Sequence, residues 1–330
     1  MRFKATLRDA KCLLGILQVC RSIQSDCIVR LHAERIRFFS NTNATDGVQV
    51  WMACESSFLF SEMICESGNS ERSITCEVLD LAQLLHIVKQ AEVRERSPLG
   101  SNPHVQIRLA RSGRCPLWRV AMPGLSGQPD ISFDVPLRII SDRESGGLAP
   151  PPLQQHHLHI VVPDMMELAT FVDKLKNTAA DSVTFAARAL RRGRRDGGAA
   201  PHDDEGGVDG RHSRKRRRDG DDIRRAALVI HAEHVVARFS LKYEAVELAP
   251  PPSHGAEDAD GDEEADEDED GDADAATVTV ETRKFARFFS AVRMLDPVKI
   301  SMYLVDERAL VLSVYAVGTR SMVAYIPAKA

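Results

Sequence analysis

Four stretches of this chain change from the alternating apolar pattern of strands to helical spacing, and they fall in the same order in its two halves. Strand and helix patterns bury different faces. An order of strand, helix, strands, helix, strands written twice therefore points to one sheet-and-helix unit that is repeated. The first helix follows Asp9 and places Leu13, Ile16, Leu17 and Cys20 on one face. The second follows Asp80, with Leu81, Leu84, Leu85 and Val88. The third follows Pro163 and opens with Asp164 and Glu167, a capping-box-like pair, before Leu168, Val172 and Leu175. The fourth begins near Glu281, with Phe285, Phe288, Phe289 and Val292. An aspartate at a helix start can accept a hydrogen bond from a free backbone N–H, which makes these positions start signals. The second and fourth helices each follow a strand-like run, residues 74–78 and 277–280. Period-two alternation marks further strands at Val105, Ile107 and Leu109, at Val235, Ala237, Phe239 and Leu241, and at Ile300, Met302 and Leu304.

A chain of 330 residues can bury more than one core, and its breaks suggest where to divide it. The run Gly146-Gly147-Leu148-Ala149-Pro150-Pro151-Pro152 follows the strand-like residues 131–135 and reads as a connector. We therefore expect an N-terminal domain over residues 1–140, a connector over 141–155 and a C-terminal domain over 156–330. Two charged stretches, the basic/mixed 191–222 and the acidic 250–274, lack core-forming residues and read as disordered insertions in the second domain. They hide the charge of the body. Residues 257–274 hold thirteen acidic and no basic residues, so the rest of the chain is +8 against −5 for the whole. Residues 188–225 contribute +5 of that, leaving a body near +3, which permits contact with phosphate.

Several classes of function have no residues to support them. The seven cysteines (Cys12, Cys20, Cys27, Cys54, Cys65, Cys76, Cys115) include no Cys-x-x-Cys pair and read as reduced, mostly buried thiols. His156, His157 and His159 cluster at a strand entry, but no cysteine or acidic ligand accompanies them, so a structural role is expected and no metal. The chain has no phosphate-binding glycine loop, nucleophile elbow or zinc-protease helix, so neither an enzyme nor a cofactor is expected. The opening residues lack the apolar stretch of a signal peptide and no run is long enough to cross a membrane, which leaves cytosol or nucleus.

Short matches run from one end of the chain to the other. They are Met1-Arg2-Phe3-Lys4-Ala5, Gly47-Val48-Gln49-Val50-Trp51, Asp134-Val135-Pro136-Leu137, Val172-Asp173-Lys174-Leu175-Lys176-Asn177 and Ala324-Tyr325-Ile326-Pro327-Ala328. In order and spacing, with the repeated element order, they resemble the Hus-one family of checkpoint sliding-clamp subunits. The resemblance spans nearly everything outside the two insertions. It implies an α+β DNA sliding-clamp fold of two similar domains, each with outer β-sheets and two inner α-helices. It also implies a subunit of a heterotrimeric ring with Rad-nine-like and Rad-one-like partners, placed by a clamp loader on double-stranded DNA and acting in DNA-damage checkpoint signalling. The two charged insertions are where the chain departs from the family.

In such a ring the polar helix faces would meet DNA. Arg283, Lys284 and Arg287 lie roughly opposite the fourth helix's phenylalanines, while Lys11, Arg21, Lys89 and Lys174 are thinner contributions from the other three. Contacts to phosphate carry no base information, so sequence-independent binding is expected. By family analogy the subunit edges are the strands with Ile131, Phe133 and Val135 and with Val235, Ala237, Phe239 and Leu241. A partner-peptide pocket would use Leu137 and Ile139 with Tyr325 and Pro327. Arg214, Lys215, Arg216, Arg217 and Arg218, preceded by a second basic cluster, read as a nuclear-localisation signal. Two alternatives remain open on the residues alone: a homotrimeric replication clamp, and a histone-binding chromatin scaffold that uses the acidic run.

Overall fold

A computed structural model describes residues 1–40, 47–69, 71–96, 105–124, 129–151, 158–178, 180–190, 225–234, 237–248, 275–317 and 320–329. Both charged insertions, the Arg214–Arg218 run, His156, His157 and Val235 lie outside the described residues.

The first half runs β1 (Arg2–Leu7), α1 (Ala10–Ile23), β2 (Cys27–Leu31), β3 (Arg35–Ser40), β4 (Gln49–Glu55), α2 (Ser56–Leu59), β5 (Phe60–Glu66), β6 (Ile74–Val78), α3 (Leu81–Glu95), β7 (Gln106–Ser112), β8 (Cys115–Met122) and β9 (Ile131–Ile139). After α4 (Asp142–Ser145) the second half runs β10 (Leu158–Val161), α5 (Met165–Lys176), β11 (Ser182–Ala189), β12 (Arg225–His234), β13 (Ala237–Glu247), β14 (Ala275–Glu281), α6 (Thr282–Val292), a 3-10 turn (Arg293–Leu295), β15 (Pro297–Val305), β16 (Ala309–Ala316) and β17 (Arg320–Pro327).

The expected helix starts are used as caps. Asp9 accepts from the Cys12 N–H at 2.7 Å and Asp80 from the Gln83 N–H at 2.8 Å, while Asp164 accepts from both Met166 and Glu167. Each cap is worth about 1 kcal/mol. The Asp164–Glu167 pair works in one direction only, since no return bond from Glu167 forms. At α6 the Glu281 side chain supplies no cap at all.

Pairing reproduces the repeat strand by strand. The first half contains the series β5-β1-β7-β8-β9 and the series β6-β2-β3-β4. The second contains β10-β15-β16-β17, with Leu248 bridged to Ile160 beside β10, and the separate sheet β14-β11-β12-β13. β9 changes partner midway: residues up to Pro136 pair with β8, and Leu137 to Ile139 pair with β6. Pro136 sits at this switch, where its carbonyl takes the Leu79 N–H at 3.2 Å.

β17 joins the halves by pairing antiparallel with β4, placing Ser321 opposite Ala53, Val323 opposite Trp51 and Tyr325 opposite Gln49. Below this sheet the helices stand in a row, α3 beside α1, α1 beside α6 and α6 beside α5. Their apolar stripes and the inward strand residues form one core, in which Leu17, Leu84, Phe285 and Phe288 are among the fully buried side chains. α1 approaches the 3-10 turn closely at Gly15, where an added Cβ would stand 3.1 Å from the Met294 carbonyl oxygen.

A helix row, two free edges and a covered outer face

The four amphipathic helices direct their non-core faces away from the sheets. On α6, Arg283 and Arg287 project from the exposed side, and neither pairs with a carboxylate among the described residues. Lys284 turns along the flank, where its Nζ donates to Glu281 at 2.7 Å. Lys11 is exposed but sits 3.2 Å from Asp296. Arg21, Lys89 and Lys174 are exposed and form no ion pair among the described residues. Lys89 shares an open face of α3 with His86, Gln90, Val93 and Arg94. All seven expected cations therefore lie on the helix row. Two of them, Lys11 and Lys284, are partly neutralised by neighbouring carboxylates, so the positive face is concentrated on α6. Lys176 and Lys329, which border α6, were missed in the sequence because neither lies opposite an apolar stripe.

Both strands expected to form subunit edges lie at an edge. The first part of β9 pairs only with β8, and β13 is the outermost strand of its four-stranded sheet. The side chains named there mostly turn inward, however. Val135 is fully buried and Phe133 half-buried, while Ile131 at the strand's start stays exposed; Ala237, Phe239 and Leu241 are half-buried, with Phe239 and Leu241 against the core. Alternation forces this outcome: from Phe133 onward the odd residues of β9 face inward, leaving its backbone, the even residues and Ile131 for a neighbour. Outward-facing Asp134 is held by Arg119 through two bonds of 2.7 Å, and the Arg119 guanidinium lowers its carboxyl below the usual range.

The expected peptide pocket needs correction. β6, β2, β3 and β4 separate β9 from β17, and five strand spacings amount to roughly 24 Å. Leu137 and Ile139 therefore do not share a pocket with Tyr325 and Pro327. Leu137 is also only 3% exposed, which makes it core. Sequence matching supplied the two stretches, but not the distance across the sheet between them.

What Tyr325 does instead is hold the connector. Its hydroxyl donates to the Pro151 carbonyl at 2.7 Å, and its ring meets Trp51 edge-on at 5.4 Å. Burial pushes its phenol up to about 12. Farther along, Arg30 on β2 lies over Phe39 and donates to the Ser145 carbonyl at 2.5 Å. α4 itself is closed by a capping box between Ser141 and Glu144, and Asn69 donates to Asp142 at 2.9 Å. Residues 141–151 thus cross the outer sheet face from β9 to β17. The Ser141-x-x-Glu144 pattern was present in the sequence and would have located α4.

His159 stacks on Tyr303 with ring centroids 3.9 Å apart, so its place is in this outer layer. No cluster of three metal-ligating side chains occurs among the described residues. Nor is any helix among them long and apolar enough to cross a membrane. Five of the seven cysteines are buried free thiols, Cys65 is partly so and Cys115 is exposed. Burial pushes Cys54 and Cys76 up to about 12, well away from reactive thiolate.

The repeated sheet series and the single helix row define a sliding-clamp fold. Two solved clamps share it over nearly their whole length. Proliferating cellular nuclear antigen from Entamoeba histolytica superposes with a TM-score of 0.60 at 11% identity, covering 99% of each chain. PCNA from Thermococcus kodakaraensis gives 0.59 at 13% identity, covering 99% of this chain and 100% of that one. The family model described as Hus1-like protein matches residues 1–330, and the chain belongs to that family. A checkpoint protein hus1 homolog from Dictyostelium discoideum is 28% identical over 177 residues, 54% of this chain and 62% of that protein.

Proposed function

We propose that this chain is a non-enzymatic subunit of a heterotrimeric ring that encircles duplex DNA without sequence preference and recruits repair and signalling proteins in the nuclear DNA-damage checkpoint. Its neighbours are Rad-nine-like and Rad-one-like subunits, and a clamp loader opens and closes the ring. The two clamp domains are residues 1–140 and 156–330, joined by the connector 141–155. Family membership and the checkpoint name of the Dictyostelium relative support the pathway. The basic run 214–218 supports nuclear import.

The observation that carries this reading is the junction inside the chain. β17 occupies in the second half the place that β9 occupies in the first, and β4 corresponds likewise to β13. β17 and β4 are already paired to each other; β9 and β13 are the equivalents left over at the two ends. A neighbour presenting a β13-like edge to β9, and another presenting a β9-like edge to β13, repeats the internal junction. Head-to-tail repetition of one junction closes into a ring when the rotation permits.

The test is topological. The assembled complex is loaded on closed circular DNA, and the DNA is then cut once. Encirclement predicts retention before the cut and release after it. Release that is unaffected by cutting contradicts encirclement.

A further inference from the structure

The sheet face opposite the helix row carries positive charge of its own. Register sets Lys4 of β1 opposite Arg108 of β7, and Arg108 opposite Arg119 of β8, so three cations stand in one row across adjacent strands. Phe3, Ala5, Ile107, Trp118 and Val120, which precede or follow them along the strands, are buried in the core, so alternation turns all three cations outward. The β7–β8 hairpin also carries Arg111 and Arg114 near its turn, and residues 106–122 include no acidic side chain.

Like charges placed directly opposite one another repel, and this row is only partly relieved. Arg119 spends two bonds on Asp134, its opposite number on β9. Lys4 and Arg108 are exposed and form no ion pair among the described residues. The positions flanking the row are uncharged where the register continues: Thr6, Gln106 and Ala121 on one side, Ala110 and Leu117 on the other. Carboxylates bound the row at its ends, Asp134 on β9 and Glu62 and Glu66 on β5, where Ile64 stands opposite Lys4.

That layout selects the kind of partner. A nucleic-acid strand presents a continuous line of phosphates, which would run onto the bounding carboxylates, and its bases would find no aromatic side chain in the row or its flanks to stack on. An extended acidic peptide fits within the row. Carboxylates on alternate residues of such a peptide are roughly 7 Å apart, a span that long side chains on neighbouring strands can meet. A guanidinium can hold a carboxylate through two parallel bonds. We propose that Lys4, Arg108 and the unbonded side of Arg119 form a docking surface on the outer sheet for an acidic, extended segment of a partner protein. The bound carboxylates relieve the repulsion that the free chain carries. The surface faces away from the helix row, so it does not rest on the ring reading above.

The full-length chain tests this with a fluorescent peptide of alternating Glu and Ser, its anisotropy followed at low salt. Wild type should bind the peptide and release it as salt rises. Lys4→Gln and Arg108→Gln should each weaken binding about threefold and together about tenfold, as expected for exposed ion pairs. Arg108→Lys should retain binding. Lys299→Gln, which removes an exposed lysine on β15, controls for net charge and should leave affinity unchanged. Because the substitution removes a repulsion, Arg108→Gln should melt no lower than wild type. Wild-type affinity in the double variant overturns the proposal. So does an equal loss in Lys299→Gln, which would mark general attraction, or a lower melting temperature in Arg108→Gln, which would make the row structural. Single-stranded and duplex DNA represent the other class of partner: if the double variant weakens either DNA as much as it weakens the peptide, the surface does not select acidic protein and the proposal is overturned. Retention on closed circular DNA tests the ring reading separately.

Discussion

Gly15 is where the two halves touch through their helices, and enlarging it should loosen that contact. A Cβ built at this position lies 3.1 Å from the Met294 carbonyl oxygen and 3.4 Å from Leu295 Cδ2. The first neighbour is main chain and cannot swing aside. Two effects compete. Removing glycine from a helix interior gains about 1 kcal/mol. Forcing extra carbons into a filled contact costs about 1–3 kcal/mol. Gly15→Ala should therefore stay within about 1 kcal/mol of wild type. Gly15→Leu keeps the helix gain but adds three more carbons, so it should be less stable than Gly15→Ala by about 1–3 kcal/mol. Urea unfolding of the full chain should show a lower midpoint with an unchanged slope. Gly68→Ala serves as the control, since a Cβ there meets nothing within 4 Å. Equal stability of Gly15→Leu and Gly15→Ala would refute the close approach of α1 to the 3-10 turn, and with it the helix contact that accompanies the β4–β17 junction.

Tyr325→Phe removes the bond to the Pro151 carbonyl and should cost about 1 kcal/mol. Proteolysis of the connector should accelerate, and the tyrosine absorbance step near pH 12 should shrink in alkaline titration. Glu95 accepts from the Ala10 N–H at 3.3 Å, and burial raises its carboxyl above the usual range. A folded-state value above the unfolded one means that stability is fully present below the unfolded value and declines as pH rises through the folded one. Glu95→Gln, which keeps an acceptor oxygen but no charge, should gain on wild type in melting temperature between pH 4 and 7. A constant difference across that range would contradict this cause. Reversing Arg283 and Arg287 to Glu should weaken DNA retention and flatten its salt dependence while ring assembly persists. Unchanged retention on closed circular DNA removes them from the DNA-facing set.

Helices were the legible part of this fold. Asp9, Asp80 and Asp164 mark their starts because capping is local, and the stripes ending in Cys20, Val88, Leu175 and Val292 are buried except for half-buried Leu85. Strand existence was also legible in residues such as Ile300, Met302 and Leu304, all fully or nearly fully buried. Strand neighbourhood was not, because alternation identifies a face and says nothing about which strand lies beside it. That is why Leu137 and Tyr325, which lie on β9 and β17, were joined into a pocket they do not form. Cations on the helices could be named, yet their ion pairs could not: the partner of Lys11 is Asp296, far away in the chain.

The central claim is that the edges β9 and β13 are completed by two different neighbours. Mass measurement tests it most directly, with the full-length chain purified alone and again after co-expression with Rad-nine-like and Rad-one-like subunits. The account predicts a monomer alone and a complex with one copy of each subunit when all three are present. A stable trimer of this chain by itself, or no assembly with those partners, would contradict it.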